Sequence, residues 1–422
     1  MAEISSIKGW RYNKDLFKNI DNLTSPLFDI SINTERLYQN PFNSIQISSP
    51  RGNNDSANKY QKARDLLAQW KNEKIIIEDN MPCIYVYYQY FKLPNDDNEY
   101  CRKGFICNVK ISDWNENIIL RHENTIPDAV NDRLNLLENI QMNTSPTHGI
   151  YSDLDLVLEK YMDESIKNPV YETIDYQGVK DIMSIISDTQ IIDIFIDCLN
   201  QKKIIIADGH HRYESSLIYK KEMEKSDPDY NESKLYNYHL MYLSNSKNNA
   251  IKIFPTHRII KKLSNFNEIE FLEKLSIYFN IQRLDDECGI NEQILKKQYS
   301  FGIILQNSVY CINLKSKYFN TIDWNLPKDV RDLEVTVLHY FIIFKVLGIN
   351  ENQQRSSGNV EFKTDFTECF EEVQKGNSQA IIITKAVSMD EIKAVCYSGN
   401  VMPQKSTFFY PKVICGFVFS SL

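Results

Sequence analysis

The chain has 422 residues and a formal net charge of -8, and 42% of it is hydrophobic. That length exceeds one ordinary core and points to two or more lobes of a globular protein. The acidic balance argues against a nucleic-acid surface, which usually carries net or patchy positive charge.

Nine cysteines, an odd number, are scattered without a Cys-x-x-Cys pair, which fits free thiols in a reducing compartment. Met1 to Tyr12 has no apolar run of the secretory kind. The longest apolar stretch, Val337 to Ile349, holds His339 and Lys345 and reads as a core helix, too short and polar for a membrane span. The expectation is a cytoplasmic protein with no membrane and no nucleic-acid partner. No feature sets an oligomeric state.

In chain order, Thr24-Ser-Pro-Leu-Phe-Asp-Ile-Ser31 comes first, with a turn fixed at Pro26. Asp29 is either a cap for the segment from Ile32 or a site residue. Pro41 to Ser48 alternates towards a strand, and Ala57 to Trp70 has helical spacing. Cys83 to Phe91 and Gly104 to Ile111 read as a strand and its return. The apolar run Ile118 to Leu120 ends in Arg121-His-Glu-Asn-Thr125, polar groups clustered at the end of a rigid element. The helix from about Ala129 to Ile140 carries Asp132 and Arg133, with Asp132 expected on a solvated face. Asn143 to Gly149 reads as a loop and Leu154 to Met162 as a helix. Val179 to Leu199 reads as two helical segments broken near Asp188.

The stretch Ile204-Ile-Ile-Ala-Asp-Gly-His-His-Arg-Tyr-Glu214 is the most informative. A β-branched strand meets a glycine and then a helical run through Met223. The first amides of such a helix point beyond its start, and its dipole favours negative charge there. Gly209, His210, His211 and Arg212 therefore make a candidate phosphate cradle. Asp208 at the strand's end is placed to hold Mg²⁺ or to take a proton from an attacking hydroxyl. The competing reading is a common Asp-Gly turn with a capping side chain.

Beyond it, Tyr238 to Ser244 is a strand, and Ile251 to Phe254 leads into Pro255-Thr-His-Arg258, where His257 and Arg258 could reach the same anion. A boundary is expected near Leu263, separating lobes 1–262 and 263–422. Asn265 to Phe279 reads as a helix, Phe301 to Asn313 as two strands, Val330 to Leu347 as a helix and Ile381 to Thr384 as a strand. Met402-Pro-Gln-Lys-Ser-Thr-Phe-Phe-Tyr-Pro-Lys412 closes the series; Lys405, Ser406 and Thr407 offer a cation and two hydroxyls, or form an exposed loop. The P-loop, dinucleotide, zinc-hydrolase and nucleophile-elbow motifs are all absent from the sequence.

The chain resembles the bacterial proteins grouped as domain of unknown function 1015, in their Bacteroidetes-type form. The resemblance is carried by Ser25-Pro-Leu-Phe-Asp29, Arg121-His-Glu-Asn-Thr125, Asp132-Arg133, Ala207-Asp-Gly-His-His-Arg-Tyr213, Pro255-Thr-His-Arg258 and Met402-Pro-Gln-Lys-Ser-Thr407. It adds Asp29, Arg121, His122 and Arg133 to the site candidates. The Asp-Gly-His-His-Arg box is also similar to that of the ParB and sulfiredoxin superfamily, which includes free-serine kinases. This implies an α/β (α+β) fold: a mixed-sheet ParB/sulfiredoxin-like, nucleotide- and phosphate-binding core, and a second α+β lobe contributing the Lys405–Thr407 loop.

What the resemblance implies for function is a phosphotransferase of serine metabolism, interconverting serine and O-phosphoserine with ADP or ATP and Mg²⁺. Gly209, His210, His211 and Arg212 would grip phosphate. Asp208 would hold the metal, and Asp208 or Glu123 would act as base, with His211 beside them. Arg258 or Lys405 would bind the substrate carboxylate or a second phosphate. The alternatives are a nucleotide-binding regulatory protein without turnover, and a metal-assisted phosphatase with water as acceptor.

Overall fold

The computed structural model describes residues 1–26, 34–52, 56–94, 96–175, 177–287, 289–350, 354 and 358–422. Asp29 lies outside the described residues. The chain divides into two compact units: Met1–Arg121, Thr125–Lys252 and Pro411–Leu422 form the first, His122–Asn124 and Ile253–Tyr410 the second. The cut near residue 252 precedes Leu263, and it is not single, because the last segment returns to the first unit. Val413, Ile414, Phe417, Val418 and Phe419 are buried in that unit's core, which holds the tail there.

The first unit is built on a nine-stranded mixed sheet. In chain order its strands are β1 Ile4–Ser5, β2 Ile84–Lys92, β3 Glu99–Lys110, β4 Ile119–Leu120, β5 Thr147–Tyr151, β6 Tyr171–Ile174, β7 Lys180–Ile186, β8 Ile204–Asp208 and β9 Tyr238–Asn245. The order across the sheet is β6-β7-β2-β3-β9-β5-β8-β4, with β1 on β3. β9–β5 and β8–β4 are parallel, and the other pairs are antiparallel. Both faces are covered. α1 Ser56–Asn72 and α2 Pro127–Ile140 pack on one face through Leu67, Trp70, Leu136 and Ile140. The short α3 Glu159–Ser165, α4 Thr189–Leu199 and α5 His210–Ser226 pack on the other through Met162, Phe195, Tyr213 and Leu217. Burial on both faces explains why β2 is apolar nearly throughout, without alternation.

The second unit has a six-stranded antiparallel sheet of β10 His257–Ile260, β11 Phe279–Leu284, β12 Ser300–Leu305, β13 Ser308–Leu314, β14 Val360–Lys363 and β15 Ala380–Ile383, ordered β11-β13-β12-β15-β10-β14. One face is covered by α6 Glu268–Tyr278 and a π-helix, Leu338–Val346. The other is covered by α7 Ile290–Leu295 and α8 Phe366–Gln374. A mixed-sheet core and a second α+β lobe are thus both present. Among the described residues no helix is long and apolar enough to cross a membrane.

Several local expectations are corrected, in each case because tertiary pairing or backbone geometry overrides local pattern. Lys180–Ile186 is a strand, not a helix, zipped between β2 and β6. Thr147–Tyr151 is an inner strand, not a loop, held by β8 and β9. Pro41 to Ser48 ends in a helical turn, Ile45–Ser48, where the Asn43 side chain accepts from Ile45 N. The helix expected from Leu154 starts only at Glu159, because Leu156 has φ 52° and the Asp153 carboxylate accepts from Val157 N. The helix expected over Val330–Leu347 is broken at Leu333, whose ψ of 138° is extended.

One feature of the first sheet breaks its apolar pattern. The register places Gln89 of β2 opposite Arg102 of β3 on one side and Asp181 of β7 on the other. All three are fully buried. Asp181 accepts from Gln89 Nε2 at 2.8 Å and from the Tyr87 hydroxyl. Arg102 donates to Gln89 Oε1 and to the carbonyl of Pro411 at 2.6 Å. Burial pushes the Asp181 carboxyl up to about 8, against the hydrogen bonds from Tyr87 and Gln89 that favour ionisation.

An unfolded aspartate titrates near ~4. The folded state therefore binds this proton more tightly, so the contribution of Asp181 to stability is full below that value and is lost as pH rises towards 8. Asp181→Asn is permanently neutral and escapes the loss. Urea midpoints measured across that range should show the variant gaining on wild type as pH rises; parallel curves would mean Asp181 ionises normally in the fold.

Candidate functional site

The strand–glycine–helix unit is present where the sequence places it. β8 runs through Asp208, Gly209 precedes α5, and α5 starts at His210. β8 pairs with β5 as Ile206↔Gly149 and then Asp208↔His148, leaving Ala207 as an extra residue. A bulge of this kind inverts the alternation and re-aims the side chain that follows. Without it Asp208 would share the face of Ile204 and Ile206; with it, Asp208 lies beside His148. Gly209 has φ 98°. A Cβ there would sit 2.7 Å from Arg212 Nη2 and 2.8 Å from Thr147 Oγ1, so both conformation and space demand glycine.

Arg212 is buried and turned inward, one helical turn from Asp208. Its Nη2 donates to Asp208 Oδ2 at 2.8 Å, and its Nη1 donates to Pro146 O at 2.6 Å and Ser145 Oγ at 3.3 Å. The other Asp208 oxygen accepts from Lys412 Nζ at 2.6 Å. Burial alone would raise the Asp208 carboxyl, but Lys412 and Arg212 outweigh it and hold it well below the usual carboxylate range. Asp208 is therefore a charge holder and a weak proton acceptor. His210 is buried at the start of the helix. His211 Nε2 accepts from Ile126 N at 3.0 Å, which puts that ring's proton on Nδ1 and ties α5 to the start of α2.

A divalent cation does not fit this donor set. Both oxygens of Asp208 are engaged by cationic side chains. Among the described residues no group of three or more His, Cys, Asp or Glu side chains could hold a metal ion. A hard cation wants several oxygen ligands. What the arrangement suits chemically is an anion. Between α2 and α5 lies a small hollow open to solvent, where Arg133, Asn143, Ser145, Arg212, Ser216 and His239 contribute to the lining. Asn143 Nδ2 is buried there without a hydrogen-bond partner.

Two further candidates of the first unit make local contacts. Arg121 lies over the Trp114 ring at 4.7 Å and reaches Glu214 at 3.4 Å. Arg133 pairs with Asp132 and donates to Ser48 O at 2.7 Å. Asp132, expected on a solvated face, instead gathers Lys59 Nζ at 2.6 Å, the Tyr60 hydroxyl at 2.7 Å and Arg133. Despite partial burial, Arg133 and Lys59 lower its carboxyl to about 2. The reason is α1, which packs against α2 and brings Lys59 and Tyr60 onto that face.

In the second unit Glu123 bridges to Met402, and its Oε1 accepts from Ser406 N at 2.9 Å. His122 Nε2 meets Thr407 Oγ1 at 2.8 Å, and Ser406 Oγ donates to Pro403 O. The two motifs, distant in sequence, thus form one polar cluster, with Lys405 exposed at φ 56° at its turn. His257 and Arg258 leave β10 on opposite faces, as strand neighbours must. His257 Nδ1 accepts from Thr384 N at 3.3 Å beside Phe366, while Arg258 lies over Phe362 and reaches His339 at 3.1 Å. These two side chains do not converge on one anion.

The sequence reading omitted Lys412, Arg102, Gln89 and Asp181. Gln89 Nε2 donates to Lys412 O at 3.0 Å, so the buried row holds the peptide that carries Lys412 to Asp208. The available signal was a polar residue at an inward position of three apolar strands.

A search of solved structures finds distant likenesses. A conserved hypothetical protein from Pyrococcus furiosus is 11% identical, with a TM-score of 0.37 over 76% of this chain and 94% of that one. A free serine kinase in complex with AMP is 11% identical, with a TM-score of 0.36 over 78% and 97%. SbnI with a C-terminal truncation, from Staphylococcus aureus, is 10% identical, with a TM-score of 0.37 over 74% and 86%. Scores this low say nothing of activity. No curated protein matches the chain. The model of the family described as protein of unknown function (DUF1015) matches residues 4–336, most of the chain, and the chain belongs to that family.

Proposed function

We propose that this protein is a phosphotransferase that moves a phosphoryl group between a nucleotide, ADP or ATP, and serine, interconverting serine and O-phosphoserine. The observation that carries the reading is the shared carboxylate of Asp208. Two cations, Arg212 and Lys412, bear on one anion at the start of α5. The two cations, the helix dipole and the inward-facing guanidinium favour a phosphate. Serine as the partner rests on the likeness of the Asp208–Arg212 box to that of the free-serine kinases. Phosphoryl transfer asks mainly for alignment and neutralised charge, which fixed cations supply. As the serine oxygen bonds to phosphorus, the bridging oxygen leaves with its electron pair and the hydroxyl proton passes to a base. Asp208 is held too acidic for that task.

Arg212→Ala is expected to lower exchange of phosphate between O-phosphoserine and ADP by about a hundredfold or more, measured by the ATP and serine formed. Circular dichroism would check that the variant is folded, and exchange at the wild-type rate would refute the assignment. Gly209→Ala should cost about 1–3 kcal/mol in urea unfolding, because alanine must adopt a positive φ there and displace Arg212. An unchanged urea midpoint would mean that the turn is not constrained as described.

A further inference from the structure

Two hydrogen-bond donors in the lining of the hollow between α2 and α5 are left without an acceptor. Asn143 is 5% exposed, and its Nδ2 has no hydrogen-bond partner. Ser145 is 8% exposed and receives Arg212 Nη1 at 3.3 Å. A guanidinium only donates, so the Ser145 oxygen accepts and its own proton finds no acceptor among the described residues. Buried donors are nearly always paired in folded proteins, and two orphans two residues apart in one hollow point to a partner from outside.

The remaining polar groups there are committed to one another. His239 bonds Ser216 Oγ at 2.8 Å and Thr147 Oγ1 at 2.7 Å, and burial and Arg212 lower it to about 3, so the ring is neutral. Arg133 pairs with Asp132. None of the lining residues is acidic, and Leu136, Ile140 and Met142 supply an apolar side. A carboxylate brings two acceptor oxygens and no proton, one for each donor; a water would bring two further protons. The Asn143 amide turns about a broad torsion, and no bond at Nδ2 resists that turn.

Arg212 joins this hollow to the Asp208 turn, with Nη1 on Ser145 Oγ and Nη2 on Asp208 Oδ2 at 2.8 Å. Only the width of one guanidinium separates the two places. A small ligand seated by its carboxylate on Asn143 and Ser145 would carry its other end to that turn.

Resting on the phosphotransferase reading, we propose that the hollow between α2 and α5 receives the carboxylate of serine or O-phosphoserine, with the Asn143 amide and the Ser145 hydroxyl as its donors. The two side chains then select an amino acid over the corresponding amino alcohol.

Calorimetric titration of the full chain with O-phosphoserine and with O-phosphoethanolamine, which lacks only the carboxylate, tests this. Wild type, which needs no variant to fold, should bind O-phosphoserine about tenfold more tightly or better, the scale of a hydrogen bond to a charged group. Asn143→Ala and Ser145→Ala each remove one donor without changing the charge. Each should weaken O-phosphoserine about tenfold while leaving O-phosphoethanolamine within about threefold. Wild type that binds neither compound or binds both equally, or a wild-type preference kept in both variants, would overturn the proposal. A carboxylate preference lost in the variants, with no exchange of phosphate between O-phosphoserine and ADP, would leave this site standing and remove the phosphotransfer. Exchange at equal rates from the two phosphate compounds would keep the phosphotransfer and remove the site.

Discussion

The carboxylate of Asp208, held between Arg212 and Lys412, is the interaction around which the first unit's site is arranged. Each feature nearby serves to put that group where it is. The bulge at Ala207 turns it onto the face of His148. Gly209 lets the chain start a helix immediately afterwards, without a Cβ to push Arg212 away. The first turn of α5 then returns the guanidinium to the residue it started from, four positions earlier. One carboxylate bearing two cations keeps its charge at any ordinary pH.

The second partner, Lys412, links the site to the whole sheet. The tail from Pro411 to Leu422 buries its apolar residues in the first unit's core. That hydrophobic contact fixes the tail's path, but it does not fix where one lysine points. Hydrogen bonds from Arg102 and Gln89 to the carbonyls of Pro411 and Lys412 do so, and Asp181 in turn holds Gln89. A buried polar row is expensive, and its use here is positional.

How much of this was legible in the sequence follows from the range of the interactions. The Ile204–Glu214 unit could be read because strand, glycine and helix are consecutive and the argument is local. The bulge could not, since it exists only in the pairing with β5. Lys180–Ile186 was misread because an isoleucine-rich heptamer suits helix or strand until β2 and β6 close on it. Lys412 was visible as the last residue of a marked motif. Its role was not, because its partner stands two hundred residues away and nothing in spacing joins them. The polar residues inside β2, β3 and β7 were the one clue to it.

Motif residues also divide by what their side chains meet. Arg212 and Arg258 are both buried arginines next to a histidine in sequence, and pattern alone treats them alike. Arg212 has a carboxylate partner. Arg258 has instead a backbone carbonyl, an aromatic face and the neutral His339, whose Nδ1 proton is committed to Gln354, and burial lowers its guanidinium to about 9 despite Glu123. His257, on the other face of the strand, serves the packing around Phe366. The Pro255–Arg258 motif therefore braces its own sheet through two separate contacts, whereas Asp208–Arg212 concentrates charge at one point. That difference, more than the shared His-Arg spelling, is why the proposed anion site is placed at the first unit's turn.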